Sequence, residues 1–535
     1  MSTLTGLAPS LRLAWQRNRI FWTCWIIGLA VLMPMTLSQY ETVIPPGTDP
    51  RATLEPLRSN PSMLALLGPA YDVYTKGGFV FWRVGGFCSA FAGMMAGFGI
   101  IRATRAEEEE GRLEMLRAGT IGRHAPLAAG VLLCSLAALV LALLGAAPLV
   151  AMGLPAAGSL TAGAALGVVA LVFTGIGAVA CQVFDSARTA RYWTLGLAWG
   201  GMFLARMVID GAGPDASGAW AQWLVPLEWG MLMRPFAGNR WWVALLGLAL
   251  FVGLVLLAFR LESLRDHGAG LVGSRPGRAT APGWLRGAEG LAWRLQRGSL
   301  LGWSMSLLLA GAGIGSIVSQ MEESLAANPQ LGQMLEKMGG SSNVTVAFYV
   351  AMLGIMATVV AVFAATTISR LRSEESHGRT EAMLATATSR TRYACSHLAL
   401  GTVVPCLVMV GVGALLPLAD AQRTGNWERL GTYARAAAGL LPGVLLMAGV
   451  TMLLVGWLPR LTALVWVLLG WTLFTTWFAV LFELPDWLVR LQPWGHLRLL
   501  PREAWSWTPF AVELALAVAL LALGLVGYRR RNIPA

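Results

Sequence analysis

Charged side chains are scarce in this sequence. Of its 535 residues only 13% are Asp, Glu, Lys or Arg, whereas 56% are hydrophobic and the mean hydropathy is +0.61. A soluble domain carries roughly 25% charged residues, so the deficit excludes a chain whose whole surface faces water. Lipid can cover such a surface, and the composition therefore predicts a membrane protein.

Lysine is scarcer still, and the sequence contains no nucleotide-binding or metal-binding motif. Lys76 and Lys337 are the only lysines, and no G-x-x-x-x-G-K-[ST] loop is present to hold ATP phosphates. The six cysteines lie in apolar segments without C-x-x-C spacing, which is typical of small buried residues rather than of disulfides or metal ligands. Without a dinucleotide fingerprint or a nucleophile elbow either, the sequence predicts no catalytic residue, metal or cofactor on this chain.

Twelve apolar runs approach the length that a bilayer requires, about 20 residues for a helix. We therefore predict an all-α polytopic membrane protein with about twelve transmembrane helices. The runs lie near residues 20–37, 80–101, 126–152, 160–183, 191–210, 241–259, 300–319, 345–368, 394–418, 436–457, 461–482 and 510–528.

Arginine is concentrated in every second connecting segment. The arginine-rich segments are the N-terminus, 102–123, 184–191, 260–299, 369–393 and the C-terminus. Because cytoplasmic loops carry the excess of basic residues, both termini are predicted to lie in the cytoplasm of a cell-membrane protein. The net charge of +12 is explained by these loops, and nucleic acid is not predicted as a partner.

A charged loop occurs twice, after the second and the eighth run. Six positions match without a gap: Arg105, Glu107, Glu108, Gly111, Arg112 and Glu114 in the first copy, and Arg372, Glu374, Glu375, Gly378, Arg379 and Glu381 in the second. Two apolar matches keep the same order, Leu13-Ala14-Trp15 with Leu291-Ala292-Trp293 and Trp223-Leu224-Val225 with Trp487-Leu488-Val489. The sequence therefore predicts two pseudo-symmetric six-helix halves, 1–260 and 286–535, joined by a glycine-rich cytoplasmic linker at 261–285.

The charged loops have two interpretations. Arg105, Glu108 and Arg112 stand at i, i+3 and i+7, a spacing that favours a short helix across the cytoplasmic face. Such a helix is either a solvated connector or a docking element for a cytoplasmic partner. Duplication at the same place in both halves favours docking.

Aromatic and methionine side chains form one face of the second predicted helix and of its counterpart. These residues are Phe87, Phe91, Met94 and Phe98, and in the other half Phe348, Met352 and Met356. Such a face adapts to varied apolar ligands, although ordinary helix packing or lipid contact explains it better from spacing alone. Arg206 and Asp210, at i and i+4, are predicted to form a structural ion pair, and no helix centre carries the acids of a proton relay.

The charged loops occur in a fixed order with the stretches Phe203–Asp210, Trp223–Trp229, Arg234–Trp242 and Leu291–Arg297. Together they resemble the membrane-spanning permease subunits of type-2 ABC exporters. The resemblance is greatest to the actinobacterial twelve-helix group that exports polyketide antibiotics of the tetronasin type.

This resemblance implies more than the spacing does. Segments 7–19 and 286–299 would be elbow helices, and the charged loops would be coupling helices on two copies of a separate cytoplasmic ABC ATPase subunit, which would bind ATP and Mg. A hydrophobic, drug-like substrate would pass between the halves along the second and fifth helices of each, which adds Phe203 and Phe474 to the candidate pathway. Ser376 and His377 replace Glu109 and Glu110 of the first loop, so the two docking surfaces need not be equivalent.

Two other functions stay open from the residues. An ion-coupled secondary transporter of the twelve-helix class has the same topology, but it requires a coupling-ion site that the sequence does not offer. A non-transporting membrane scaffold or sensor would use the duplicated loops to recruit a cytoplasmic partner.

Overall fold

The computed structural model is built almost entirely of helices. It describes residues 3–47, 49–58, 61–113, 121–213, 216–273, 280–327, 344–478, 492–497, 500 and 505–532. Within these ranges no β-strand occurs, and Phe184 and Val272 form an isolated bridge. The chain divides into two compact units, Met1–Gly277 and Arg278–Ala535. The predicted all-α membrane fold is confirmed.

Each unit contributes six principal helices. Those of the first unit are α1 (Leu7–Ser38), α2 (Gly86–Ala103), α3 (Ala125–Ala151), α4 (Ala156–Val183), α5 (Gly200–Gly211) and α6 (Trp242–Leu264). Those of the second unit are α7 (Ala288–Ala327), α8 (Val344–Ser376), α9 (Arg390–Leu415), α10 (Leu441–Trp457), α11 (Leu464–Phe478) and α12 (Trp507–Arg530).

Shorter helical segments connect or extend the principal helices. The α-helical ones are Tyr40–Val43, Pro50–Arg58, Pro61–Leu67, Lys76–Val80, Arg105–Glu109, Ala187–Arg191, Trp229–Leu232, Arg379–Leu384, Leu418–Thr424 and Glu428–Gly439. Phe81–Gly85 and Tyr192–Trp199 are π-helices, and Ala219–Leu224, Pro226–Glu228, Gly283–Leu285 and Pro493–Gly495 are 3₁₀-helices.

Ten helical segments in the described part of the chain are long and apolar enough to cross a membrane. The predicted spans 191–210 and 461–482 are not among them. The first is divided between the π-helix Tyr192–Trp199 and the 12 residues of α5, and α11 is described over 15 residues. Of the predicted twelve, ten are therefore long spans in the described part of the chain, and the other two, at corresponding places in the units, are described over fewer helical residues.

The same pairs of helices pack in both units. In the first unit α1 packs against α3, and α4 packs against α2 and α6; in the second α7 packs against α9, and α10 against α8 and α12. Of the apolar stretch of α4, 78% is buried, compared with 17% for α6, so α4 is central and α6 faces outward. This shared packing supports the internal repeat.

Glycine allows close contact between some of these helices. On α10 and α12, Gly456 faces Gly524 so closely that a Cβ on Gly456 would lie 2.2 Å from the Gly524 carbonyl oxygen. Small residues let helix backbones approach each other in a membrane, where apolar side chains gain little by leaving lipid.

Candidate functional site

The first charged loop follows α2 directly. Thr104 leaves the helical conformation, Arg105–Glu109 forms a single short turn, and Gly111 has φ +72°. Gly378 takes φ +69° at the matching place in the second loop. Only glycine adopts this left-handed conformation without a steric cost from Cβ, which gives a backbone reason for its occurrence in both copies.

Glu108 lies at the centre of a buried charge cluster in the first loop. Arg265 donates to its two carboxylate oxygens at 2.7 and 2.8 Å, and Arg105 donates at 2.9 Å. The backbone N–H of Gly268 adds a bond of 2.8 Å. The side chains of Arg105 and Glu108 are 1% and 4% exposed, so they hold the loop internally rather than present it to a partner.

Arg105 ties this cluster to two other connecting segments. Its Nε donates to the carbonyl oxygen of Asp185 at 3.0 Å, after α4. Its Nη atoms donate to the carbonyl oxygens of Gly268 at 3.0 Å and Ala269 at 3.3 Å, after α6. The charged loop is thereby fixed to the ends of α2, α4 and α6.

The second loop repeats the central contact with less enclosure. Arg531 donates to Glu375 at 2.5 Å, and Arg372 donates to the other carboxylate oxygen at 3.2 Å. The Arg372 side chain is 29% exposed, whereas its counterpart Arg105 is 1% exposed. Water therefore screens this cluster more than the first.

Arg265 and Arg531 occupy equivalent positions, immediately after α6 and α12. The carbonyl oxygen of Arg265 accepts a hydrogen bond of 2.9 Å from Arg123, and that of Arg531 accepts one of 2.9 Å from Arg390. We call each set, Arg105–Glu108–Arg265 and Arg372–Glu375–Arg531, an arginine clamp. The repeat therefore extends to the last helix of each unit.

The preceding glutamate of each loop is also paired. Glu107 accepts from Arg112 at 2.8 Å, and Glu374 accepts from Arg379 at 3.2 Å. A second arginine approaches each of these glutamates, at 2.6 and 2.7 Å. These second partners are Arg17 and Arg370. The matched residues Glu107 and Arg112, and likewise Glu374 and Arg379, thus form an ion pair in both copies.

The exposed tips of the loops include the positions at which the two sequences differ. Glu109 and Glu110 are exposed in the first loop, and Ser376, His377 and Glu381 in the second. A partner that docks on these loops would meet the tips first, because the matched acids Glu107, Glu108, Glu374 and Glu375 are engaged inside the units. The docking role stays a prediction, and one of its residues, Glu114, lies outside the described residues.

Phe87 and Phe91 of α2 meet aromatic side chains at the start of α5. The ring centroids of Phe87 and Phe203 are 6.4 Å apart, those of Phe91 and Trp199 are 6.4 Å apart, and Trp199 stacks on Phe203 at 5.3 Å. We call these four rings the aromatic stack. The indole of Trp199 also donates to the Ala90 carbonyl oxygen at 2.6 Å, which fixes it against α2.

The remaining candidate pathway residues do not join this stack. On α2, Met94 and Phe98 are half-buried. On α8, Met352 is half-buried and Met356, at 8% exposed, belongs to the core of the second unit. The side chains of Phe348 and Phe474 lie outside the described residues.

Arg206 lies between two buried carboxylates. Its Nε is 3.3 Å from Asp210 Oδ2 and 2.5 Å from Glu228 Oε2, and no side chain of the three is more than 2% exposed. Gln222 donates to the other oxygen of Asp210 at 3.1 Å. Loss of hydration on burial raises the pKa of Glu228, and the nearby Arg206 opposes that rise. Two acids therefore share one guanidinium.

A neutral contact joins the corresponding segments of the second unit. Thr475 of α11 donates to the side-chain oxygen of Gln492 at 3.2 Å. The fifth helix of each unit is thus linked to the segment that follows the repeated Trp-Leu-Val sequence. The link is ionic in the first unit and neutral in the second.

The whole chain is similar to a protein named multidrug efflux system permease protein Rv1217c, from Mycobacterium tuberculosis (strain ATCC 25618 / H37Rv). The two are 35% identical over 537 positions, which cover 99% of this chain and 96% of the relative. The chain belongs to this family of multidrug efflux permeases. In addition, residues 285–529 of the permease match the family described as multidrug efflux system permease Rv1217c, C-terminal domain.

Several residues of the candidate site in this permease were not predicted from the sequence. Arg265 and Arg531 lie more than 150 residues from the glutamates they contact, and Gln222 and Glu228 lie in a different segment from Arg206 and Asp210. Trp199 carried a usable signal, because it precedes Phe203 by one helical turn on the same face. In the described part of the permease, no three His, Cys, Asp or Glu side chains group as metal ligands would.

Proposed function

We propose that this permease is the membrane subunit of an ATP-driven ABC-type exporter, energised by two copies of a separate ATPase. Its substrates would be hydrophobic drug- or polyketide-like molecules, as in the tetronasin-type exporters that the sequence resembles. The observation that carries the proposal is the duplicated charged loop, which an arginine clamp holds at the same place in both units.

A docking element has to transmit force to the membrane helices. The first loop is bonded to the segments after α4 and α6 through Arg105 and Arg265, and it is continuous with α2. A displacement of its exposed tip would therefore act on three helices together, whereas a loosely attached connector would absorb the movement. ATP and Mg would bind to the partner, whose closure the loops convert into movement of the spanning helices.

Capture of the ATPase tests this proposal. The permease is tagged and purified from its native membrane with a double variant of the loop tips, Glu110→Arg plus Glu381→Arg. Both side chains are exposed, and reversing their charge should reduce the amount of co-purified ABC ATPase several-fold. Exposed acids elsewhere provide the matched control, Glu41→Arg plus Glu428→Arg. The permease alone should hydrolyse no ATP, and unchanged capture and export in the tip variant would refute docking at the loops.

A second candidate, ion-coupled transport, is favoured by one observation. Asp210 and Glu228 share Arg206 in a buried site, so a proton there would remove an uncompensated negative charge. Reconstitution of the permease without an ATPase tests this candidate. Substrate movement driven by an imposed proton gradient, and lost in Glu228→Gln, would replace the first proposal; the absence of such movement would reject the second.

A further inference from the structure

A cavity of about 600 Å³ lies in the second unit between α10, α11 and α12. Small-molecule sites have volumes of roughly 300–1,000 Å³, so this one is large enough for a drug-sized ligand. Its walls are mostly apolar and aromatic, and they include Met447, Val450, Leu468, Trp471, Val512 and Leu516.

One carboxylate lines this cavity. Glu513 of α12 is 6% exposed, and neither of its carboxylate oxygens has a hydrogen-bond partner in the described part of the chain. The described residues that line the cavity include no lysine or arginine, and the exposed imidazole of His496 is the nearest basic group among them. An ionised carboxylate in apolar surroundings is costly unless a cation neutralises it.

The Glu513 carboxylate packs beside Gly443 of α10 and near the indole of Trp494. A Cβ added to Gly443 would lie 3.3 Å from the Glu513 carboxylate and 2.9 Å from the indole nitrogen of Trp494, which also has no partner among the described residues. Glycine at this point of α10 makes room for the carboxylate and the indole, which take the place of a side chain. The glutamate has the rotamer freedom to turn its carboxylate from that space toward a ligand in the cavity.

The first unit has no equivalent charge. When Arg265 is aligned with Arg531, Glu513 corresponds to Gly247, which packs against Val168 of α4. A cavity of about 570 Å³ in the first unit is lined by neutral residues, among them Ser135, Trp241 and Trp242. The carboxylate is therefore a feature of one unit and not part of the framework that both units share.

We propose that the cavity binds lipophilic organic cations, with Glu513 as counter-ion and Trp471 as an aromatic surface for the cationic ligand. Indole rings attract cations through their negative faces, which adds to the charge pairing. That such cations are exported rests on the function proposed above, whereas their binding does not.

Binding of two ions of the same size and opposite charge tests the proposal. The full chain in phosphatidylcholine nanodiscs, without an ATPase, is titrated with tetraphenylphosphonium and with tetraphenylborate. Wild type should bind the phosphonium more tightly, and Glu513→Gln should weaken that binding by at least about tenfold without weakening the binding of the borate. Glu513→Asp should retain part of the preference, and Glu428→Gln, at an exposed acid, should retain all of it.

Equal phosphonium affinity in wild type and Glu513→Gln, or no phosphonium binding by wild type, would overturn the proposal. If Glu513→Gln aggregates, Trp471→Ala tests the site instead. This variant keeps the charge of Glu513 and should weaken phosphonium binding. Unchanged phosphonium binding in Trp471→Ala would refute the site. Added phosphatidylethanolamine that competes in wild type alone would assign the site to a lipid ammonium. None of these measurements involves the ATPase, so they succeed or fail separately from the exporter proposal.

Discussion

Arg265 binds both carboxylate oxygens of Glu108, although 157 residues separate them in the sequence. The planar guanidinium matches the two oxygens with two parallel bonds, which the single ammonium of lysine cannot do. Both groups are buried, so each depends on the other for compensation of its charge. The clamp is therefore a condition for the fold of the charged loop.

Arg265→Ala should lower the free energy of unfolding by roughly 3–5 kcal/mol, because it leaves the Glu108 carboxylate buried without its main partner. Arg265→Lys should fall between alanine and wild type. Thermal unfolding of the detergent-purified chain measures the loss. Arg260→Ala, at an exposed arginine of α6, is the control and should change stability by less than about 0.5 kcal/mol. Equal effects at the two positions would show that the clamp does not stabilise the unit.

Arg531→Ala should destabilise the chain less, by roughly 1–3 kcal/mol. Its partner Glu375 retains Arg372, and that arginine is 29% exposed, so water can compensate part of the lost bond. The control is Arg530→Ala, one residue earlier and exposed. Denaturant unfolding of both variants checks the order, which would be contradicted by a loss larger than that of Arg265→Ala.

The sequence predicted the helical membrane fold and the proximity of Arg206 to Asp210, because each depends on a pattern within one helix, and it predicted the repeat because matching stretches keep their order in both halves. It assigned Glu108 to a possible contact surface, whereas the structure buries that side chain. The reason is Arg265, whose position depends on how α6 ends beside α2. Helical periodicity carries no information on contacts between distant helix ends, and the partner residue Glu228 was missed for the same reason.

Glu228 should make stability depend on pH. Burial raises the pKa of Glu228 above its ordinary value of 4.5, so the folded chain holds a proton that the unfolded chain releases. Stability should then fall as pH rises from about 5 to about 8, by at most about 1.4 kcal/mol per pH unit for one proton. Glu228→Gln should flatten this part of the profile, and Glu41→Gln, at an exposed acid, should not. Thermal unfolding at several pH values measures it, and an unchanged slope in Glu228→Gln would assign the effect to another group.

Two glycines of α6 should respond oppositely to alanine. A Cβ on Gly247 would lie 2.2 Å from a methyl group of Val168, so Gly247→Ala should separate α6 from α4 and destabilise the unit by roughly 1–3 kcal/mol. A Cβ on Gly253 would meet nothing within 4 Å, so Gly253→Ala should be neutral or stabilise the helix by up to about 1 kcal/mol. Thermal unfolding of the two variants decides, and similar effects would contradict the packing of α6 on α4.

Within the proposed export function, Phe91 and Met356 should separate substrate contact from packing. Phe91 is 38% exposed at the edge of the aromatic stack, so Phe91→Ala should change the relative resistance to different drugs by up to about 100-fold. Met356 is 8% exposed, so Met356→Ala should cost roughly 2–5 kcal/mol of stability and lower resistance to all drugs alike. Growth across a drug panel, at matched protein levels, measures both. If Phe91→Ala leaves the relative resistance to the different drugs unchanged, Phe91 contributes to packing and not to substrate contact.

The position of Arg265 also sets an order of events during biosynthesis. Glu108 leaves the ribosome well before Arg265, which follows α6, so the nascent acidic loop has no guanidinium from α6 until all the helices of the first unit have been inserted. Arg531 stands in the same relation to Glu375. Each clamp can therefore close only after the last helix of its unit has been synthesised.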